Sequence, residues 1–319
     1  MIHPIPSGTR DVLPDEMREL RAITDALRGV FEGEGYGEVW TPTLEYEEVL
    51  RRADVGAEPA YRVFDDHGEV LALRSDMTVP IARLVATRYA AADPPLRFQY
   101  TAHAYRAVRP HRGQMREFLQ SGVELVGVPA PAGTAEVLGL LCRALDATGL
   151  RGYRIGLGDA ALYPALLRGL DLPEEAMAEL LRELVTRDFV GLEHAVERVG
   201  VRGEAAELLV RVPQLRGGPE VLDAVDGPVA AALDGLRGLL AQLEDHVAER
   251  VIFDLGLSRG LGYYTGAVFD VLDPALGSPI GGGGRYDDLL GRFGRPLPAV
   301  GFALGVDLLH LALAGEEER

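Results

Sequence analysis

The chain has 319 residues, 47% of them hydrophobic, enough apolar material for one large core or two ordinary ones. Its formal net charge of −17 disfavours nucleic acid, whose binding rests on basic groups, and the absence of any lysine among its 32 basic residues excludes a P-loop or Schiff-base lysine. The single cysteine, Cys142, excludes intrachain disulfides and cysteine-clustered zinc; with no apolar run near the ~20 residues that span a bilayer and no signal-like N-terminus, a cytoplasmic protein with no membrane contact is expected.

In chain order, residues 15–31 place Met17, Leu20, Ile23, Leu27 and Phe31 at helical spacing, with glycines ending the helix between 33 and 37. "YGEVWTPTLEY" reads as a strand broken at Pro42, "VFDDHGEVLAL" as a hairpin turning at Gly68, and "VPIARLVATRYA" as a helix with Pro80 in its first turn. Two long strand patterns, "LRFQYTAHAYRAV" and "MREFLQSGVELVGV", flank the turn-rich "RPHRGQ" and predict an antiparallel pair. The apolar helical run "AEVLGLLCRALDA" places Cys142 in the core. From 161 to 250 short acidic helices suggest an inserted helical subdomain between two parts of one core, 1–160 and 251–319. Strands return at "RVIFDLGL" and "GYYTGAVFDVL", and "GFALGVDLLHLAL" gives a closing strand and helix. Strands in runs with helices set apart predict an α+β fold around an antiparallel sheet.

Alternation puts Gln120, Gly122 and Glu124 on one face of the second long strand, and Leu119, Ser121, Val123 and Leu125 on the other. An amide and a carboxylate on one face make either a floor for a polar ligand or a solvated sheet surface. Arg106, Arg109, Arg112 and Arg116 cluster at the hairpin turn, an anion site or a charged turn, with His111 among them. In "SRGLGYYTG" an arginine stands with glycines and paired tyrosines, and "GGGGRYDDL" has more glycine than a turn needs, so backbone can approach a heterocycle there unless the run is a flexible hairpin tip. The Gly156-x-Gly158-x-x-Ala161 run lacks the following strand and acidic residue that a dinucleotide site requires. The seven histidines are scattered, which argues against a metal site.

Taken together, "PSGTRDVLP", "GYGEVWTPTLE", "AYRAVRPHRGQMREFLQSGVELVG", "RGLGYYTG", "GGGGRYDDL" and "AVGFALGVDLL" resemble, in order, the N-terminal signature, motif 1, motif 2, the two histidine motifs and motif 3 of the histidyl-tRNA synthetase family of class II synthetases. The resemblance implies a histidine pocket: Asp76, Thr78 and Gln120 at the amino group, Glu124 and Tyr264 at the two imidazole nitrogens with Tyr263 beside them, and Arg259 near the carboxylate. It implies equally that the ATP half is lost. Arg106 stands as a possible phosphate contact, but Val108 takes the place of the family's glutamate and Gln114 and Leu308 the places of its arginines, removing charge-assisted contacts.

The family's anticodon-binding domain is not expected, since the sequence stops at Arg319. A histidine-binding core without adenylation resembles the regulatory branch of this family. That branch implies a non-catalytic subunit without cofactor or metal that activates the short catalytic subunit of ATP phosphoribosyltransferase in histidine biosynthesis and contributes to feedback by L-histidine. It further implies a homodimer formed through motif 1 within a hetero-octamer. The alternative is a truncated ligase activating histidine for a non-tRNA acceptor, against which Val108 and Leu308 argue.

Overall fold

Helix α1 (Pro14–Gly33) opens the fold in the computed structural model, which describes residues 5–53, 60–107, 115–259 and 262–317. Pro14 at its start and Asp15 and Glu16 in its first turn suit a helix N-terminus, and Leu20, Ile23, Leu27 and Phe31 form its buried stripe. Met17, expected on that stripe, is exposed. The broken strand becomes β1 (Gly37–Glu38) and β2 (Leu44–Tyr46), followed by α2 (Glu47–Arg52). The hairpin is β3 (Arg62–Phe64) and β4 (Val70–Leu73), with Gly68 at φ +85°. After α3 (Thr78–Arg88) come the long antiparallel pair β5 (Leu96–Tyr105) and β6 (Glu117–Val126), then α4 (Ala132–Thr148) and β7 (Arg154–Asp159).

Short helices follow: α5 (Leu162–Leu167), α6 (Glu174–Thr186), α7 (Phe189–Arg198) and α8 (Glu204–Arg211), then the two-residue β8 (Arg216–Gly217), α9 (Ala230–Leu240) and α10 (Asp245–Ala248). The chain finishes with β9 (Val251–Asp254), β10 (Ala267–Leu272), β11 (Gly281–Arg285), α11 (Leu289–Arg292), β12 (Ala299–Gly305) and α12 (Val306–Glu317). The glycine run, longer than a turn needs, is therefore a strand and not a hairpin tip.

Nine strands form one sheet in the order β1-β5-β6-β12-β11-β10-β7-β9-β8. It is antiparallel as expected except where β1 runs parallel to β5 and β7 to β9. One face, with Val123, Leu125, Leu157, Phe269 and Phe302, packs against Phe31 of α1 and Leu138 and Leu141 of α4. Phe31 meets Phe302 edge to face with ring centres 5.8 Å apart, so truncating either ring costs about 3–5 kcal/mol. Buried leucines of α6 to α9 continue this core, and Cys142 lies within it, its thiol pushed up to about 11 chiefly by burial. Glu136 of α4 accepts two hydrogen bonds from Arg97 of β5, at 2.9 and 3.0 Å, and one from Tyr36, tying helix to sheet.

The opposite face carries Phe98, Tyr100, Val126 and Ala299 and is covered by Val79, Ile81, Ala82 and Val85 of α3, with Tyr263 and Tyr286. A second, three-stranded sheet, β2-β4-β3, lies beside it. Glu45 and Ala72 are buried on one side of that small sheet, where Glu45 accepts from Arg83 of α3. Leu44, Tyr46 and Val63, with Leu71 and Leu73 opposite them in register, occupy its other side.

Candidate functional site

Register places the site on the α3 face of the large sheet. Residues directly opposite one another share a face, and side chains alternate along each strand. Tyr100 of β5 faces Gly122 of β6, Glu124 faces Gly301 of β12, Gly301 faces Gly284 of β11, and Gly282 faces Asp270 of β10. A row of glycines thus floors the site, and each is there because another side chain occupies the space above it. A Cβ on Gly301 would sit 1.8 Å from Glu124 Oε2; one on Gly284 would sit 2.9 Å from the Tyr264 ring. At Gly282 it would meet Arg259 Nη1 at 2.0 Å, and at Gly122 the Tyr100 hydroxyl at 2.7 Å.

Glu124 is 1% exposed. Thr78 Oγ1 donates to its Oε1 at 2.6 Å, and the Tyr286 hydroxyl donates to its Oε2. Burial pushes this carboxyl up to about 8; the two hydroxyls oppose the shift and the charge of Asp76 adds to it. The phenols of Tyr100, Tyr263 and Tyr286 are driven well above their ordinary range, first by burial and then by neighbours including Glu124, so they stay neutral hydrogen-bonding groups. Tyr263 packs between Tyr264, with ring centres 4.9 Å apart, and Tyr286, at 5.8 Å.

At the other end Arg259 pairs with Asp270 and donates to the Phe269 carbonyl at 3.1 Å. The glycines beneath Glu124 and Arg259 are diagonal neighbours on β12 and β11. The acid and the guanidinium therefore stand over the same stretch of floor, Glu124 above Gly301 and Arg259 above Gly282. Asp76 Oδ1 accepts the Val79 N–H at 3.1 Å, closing the first turn of α3. The Oε1 of Gln120 is buried with no hydrogen-bond partner among the described residues.

Asp76, Thr78, Gln120, Glu124, Arg259, Tyr263 and Tyr264 are therefore gathered by α3, β6, and the segments before β10. Sequence reasoning missed three participants. Tyr100 is visible only once its pairing with Gly122 is known, Tyr286 only once the glycine run is seen to be a strand, and Asp270 only from its pairing with Gly282. Among the described residues no group of His, Cys, Asp and Glu could hold a metal ion, and His310, near the motif 3 segment, is engaged by Glu19 at 2.6 Å.

The neighbouring region differs in character. Leu308 is half-buried against the apolar core, and its Cδ1 would lie 3.3 Å from a Cβ on Gly305. Asp307 accepts from Arg10 and from the Leu119 N–H at 3.3 Å, and Arg10 also pairs with Glu16. The N-terminal segment extends across this region, where the Gly8 carbonyl accepts the Arg116 N–H at 2.6 Å. Arg106 lies over the Phe118 ring at 4.9 Å. Val108, Arg109, His111, Arg112 and Gln114 lie outside the described residues.

A family model described as histidyl-tRNA synthetase matches residues 8–309. ATP phosphoribosyltransferase regulatory subunits from Desulforamulus reducens and Symbiobacterium thermophilum are 42% and 45% identical to this chain, over 96% and 97% of it and 78% and 79% of their own lengths. The chain belongs to the ATP phosphoribosyltransferase regulatory subunits, within the histidyl-tRNA synthetase family. Solved members of the family share its fold. A Bacillus halodurans C structure, described as an ATP phosphoribosyltransferase regulatory subunit/histidyl-tRNA synthetase, superposes with TM-score 0.89 at 34% identity, over 98% of this chain and 84% of that one. A histidine–tRNA ligase subunit from Alicyclobacillus acidocaldarius gives 0.84 at 32% identity over 99% of both chains. The class II α+β fold expected from the motifs is thus the fold observed.

Proposed function

We propose that this chain is the non-catalytic regulatory subunit of ATP phosphoribosyltransferase, and that it binds L-histidine on the glycine floor between Glu124 and Arg259. One observation carries the reading: a glycine-floored site with a buried acid at one end and a guanidinium at the other adjoins a region where Leu308 offers no cation to a nucleotide. In this reading Glu124 and Tyr264 take the imidazole nitrogens, Tyr263 flanks the ring, Arg259 takes the carboxylate, and Asp76, Thr78 and the open Gln120 Oε1 take the amino group. A partner for each polar group of the ligand gives strong discrimination. Inhibition requires that histidine favour the inactive arrangement of the complex.

The open apolar side of the small sheet, with Leu44, Tyr46 and Val63, supplies the surface for a homodimer within a hetero-octamer of four regulatory and four catalytic chains. The net charge of −17 argues against a nucleic-acid partner, and among the described residues no helix is long and apolar enough to cross a membrane. The test is phosphoribosyl-ATP formation by the short catalytic subunit with this protein added, then with histidine. A large rise in rate that histidine suppresses is expected. No rise, together with histidine-dependent ATP–pyrophosphate exchange by this chain alone, would favour the ligase reading instead.

A further inference from the structure

Beside the site, on the same face of the sheet, lies a charge cluster that joins it to the helical segment. Arg187 sits at the C-terminal end of α6 with φ 55°, the only non-glycine residue at positive φ among the described residues. That conformation is strained for a side-chain-bearing residue and persists only where surroundings impose it. Its guanidinium reaches Asp254 Oδ2 at 3.0 Å, 67 positions along the chain. Asp254 is 4% exposed at the end of β9, and Arg216 of β8 approaches the same oxygen at 3.9 Å.

Asp254 and Asp270 project from the same face. Phe253 and Phe269 both pair with Leu157, so the acids alternate to the ligand side. Between them lie Gly156 and Gly158, the glycines of the rejected dinucleotide pattern; a Cβ at Gly158 would fall 2.5 Å from the Asp254 carbonyl. The Asp270 carboxyl is raised by burial, while Arg259 and Arg187 pull it down and Asp254 pushes it up, so the four groups share one electrostatic neighbourhood. Three guanidinia, of Arg187, Arg216 and Arg259, meet two carboxylates. Without Arg187 two guanidinia would face two carboxylates and the cluster would lose its net positive charge.

We propose that Arg187 is a positioning residue for the ligand site: by neutralising the Asp254–Asp270 pair it leaves Arg259 charge for a ligand carboxylate, so that affinity depends on the α6–α7 turn being seated against the sheet. This rests on the histidine reading above. It makes the helical segment a means by which a contact elsewhere on the protein tunes histidine affinity, and by linkage a means by which histidine alters that contact.

The test is calorimetric titration of the full chain with histidine and with histidinol, which keeps the imidazole and amine but lacks the carboxylate. Arg187→Asn, whose side chain tolerates the left-handed backbone, should weaken histidine about tenfold, the order expected for loss of one partly screened charge, and leave histidinol unchanged. Arg187→Lys should restore most of the loss, and in an Arg259→Gln background Arg187→Asn should have no further effect. Equal losses for both ligands, or none for histidine, would overturn the proposal. Arg187→Gly, which needs no strained backbone, replaces the asparagine variant if that folds poorly. Should the unmodified chain bind neither ligand, the histidine reading fails by itself, and amide exchange decides the positioning role. Faster exchange at Val268 and Asp270 in Arg187→Asn, reversed in Arg187→Lys, supports it; unchanged exchange rejects it.

Discussion

Burial, aided by the charge of Asp76, holds the Glu124 proton at neutral pH against the hydroxyls of Thr78 and Tyr286, whose donation to its oxygens favours the charged form. Its folded pKa of about 8 exceeds the ordinary value of 4.5. The folded chain therefore holds more protons than the unfolded one between those values, and the group's contribution to stability, full below the lower, is lost as pH rises through the upper. Ligand binding follows the same accounting. Free histidine loses its ring proton near ~6.5, so below that pH ring and carboxyl together carry two protons, between the two values one, and above about 8 none. A bound imidazole hydrogen-bonded to Glu124 shares one proton. Histidine affinity should therefore be greatest between about 6.5 and 8 and fall on both sides. Titration calorimetry at pH 5.5, 7.2 and 8.8 checks this; a monotonic profile would remove Glu124 from contact with the ring. Glu124→Gln should abolish the alkaline limb.

Glycines in helix α1 and strand β12 show that the same residue type can carry opposite energetic signs in different elements. Gly29 stands exposed in α1 with no atom within 4 Å of its missing Cβ, so Gly29→Ala should stabilise by about 0.5–1 kcal/mol through helix propensity. Gly301→Ala would place its Cβ 1.8 Å from Glu124 Oε2 and 2.4 Å from the Val123 carbonyl, and should both lower the melting temperature and reduce histidine affinity at least tenfold. Thermal melts and titration of the two variants separate these effects; similar stability in both would refute the packing argument.

This contrast also explains what the sequence made legible. Helices α1, α3 and α4 and the β5–β6 pair are written in local spacing, and alternation alone put Gln120 and Glu124 on one face. Glycine disfavours strands, so β11 could not be read locally: the reason for its glycines lies in Arg259, Tyr264 and the β12 backbone. The parallel pairings β1–β5 and β7–β9, the role of Tyr286, and the reach of Arg187 to Asp254 depend on contacts distant in the chain.

At the scale of the whole molecule, the three-stranded sheet is amphipathic in a way that a single copy leaves unresolved. Its inner side buries Ala72 and the Glu45–Arg83 pair, while Leu44, Tyr46 and Val63 stand exposed on the outer side, with Trp40 four residues before them at 92% exposure. Contiguous apolar surface of this kind marks an association site, and a two-fold interface would pair the face with its own copy. Burying one Leu, Tyr or Val from each copy contributes about 1.5–3 kcal/mol, so two opposed charges should suffice to dissociate the pair. Leu44→Asp combined with Val63→Asp should sediment as a monomer at concentrations where the unmodified chain is a dimer. Histidine should still bind, because Glu124 lies on the other sheet and Arg259 stands over that sheet's Gly282. Activation of the catalytic subunit should fall with the dimer, since the proposed assembly of four and four cannot close from monomers that have lost their two-fold contact. A variant that stays dimeric would move the interface elsewhere; one that is monomeric yet fully activating would show that the partner engages a single regulatory chain.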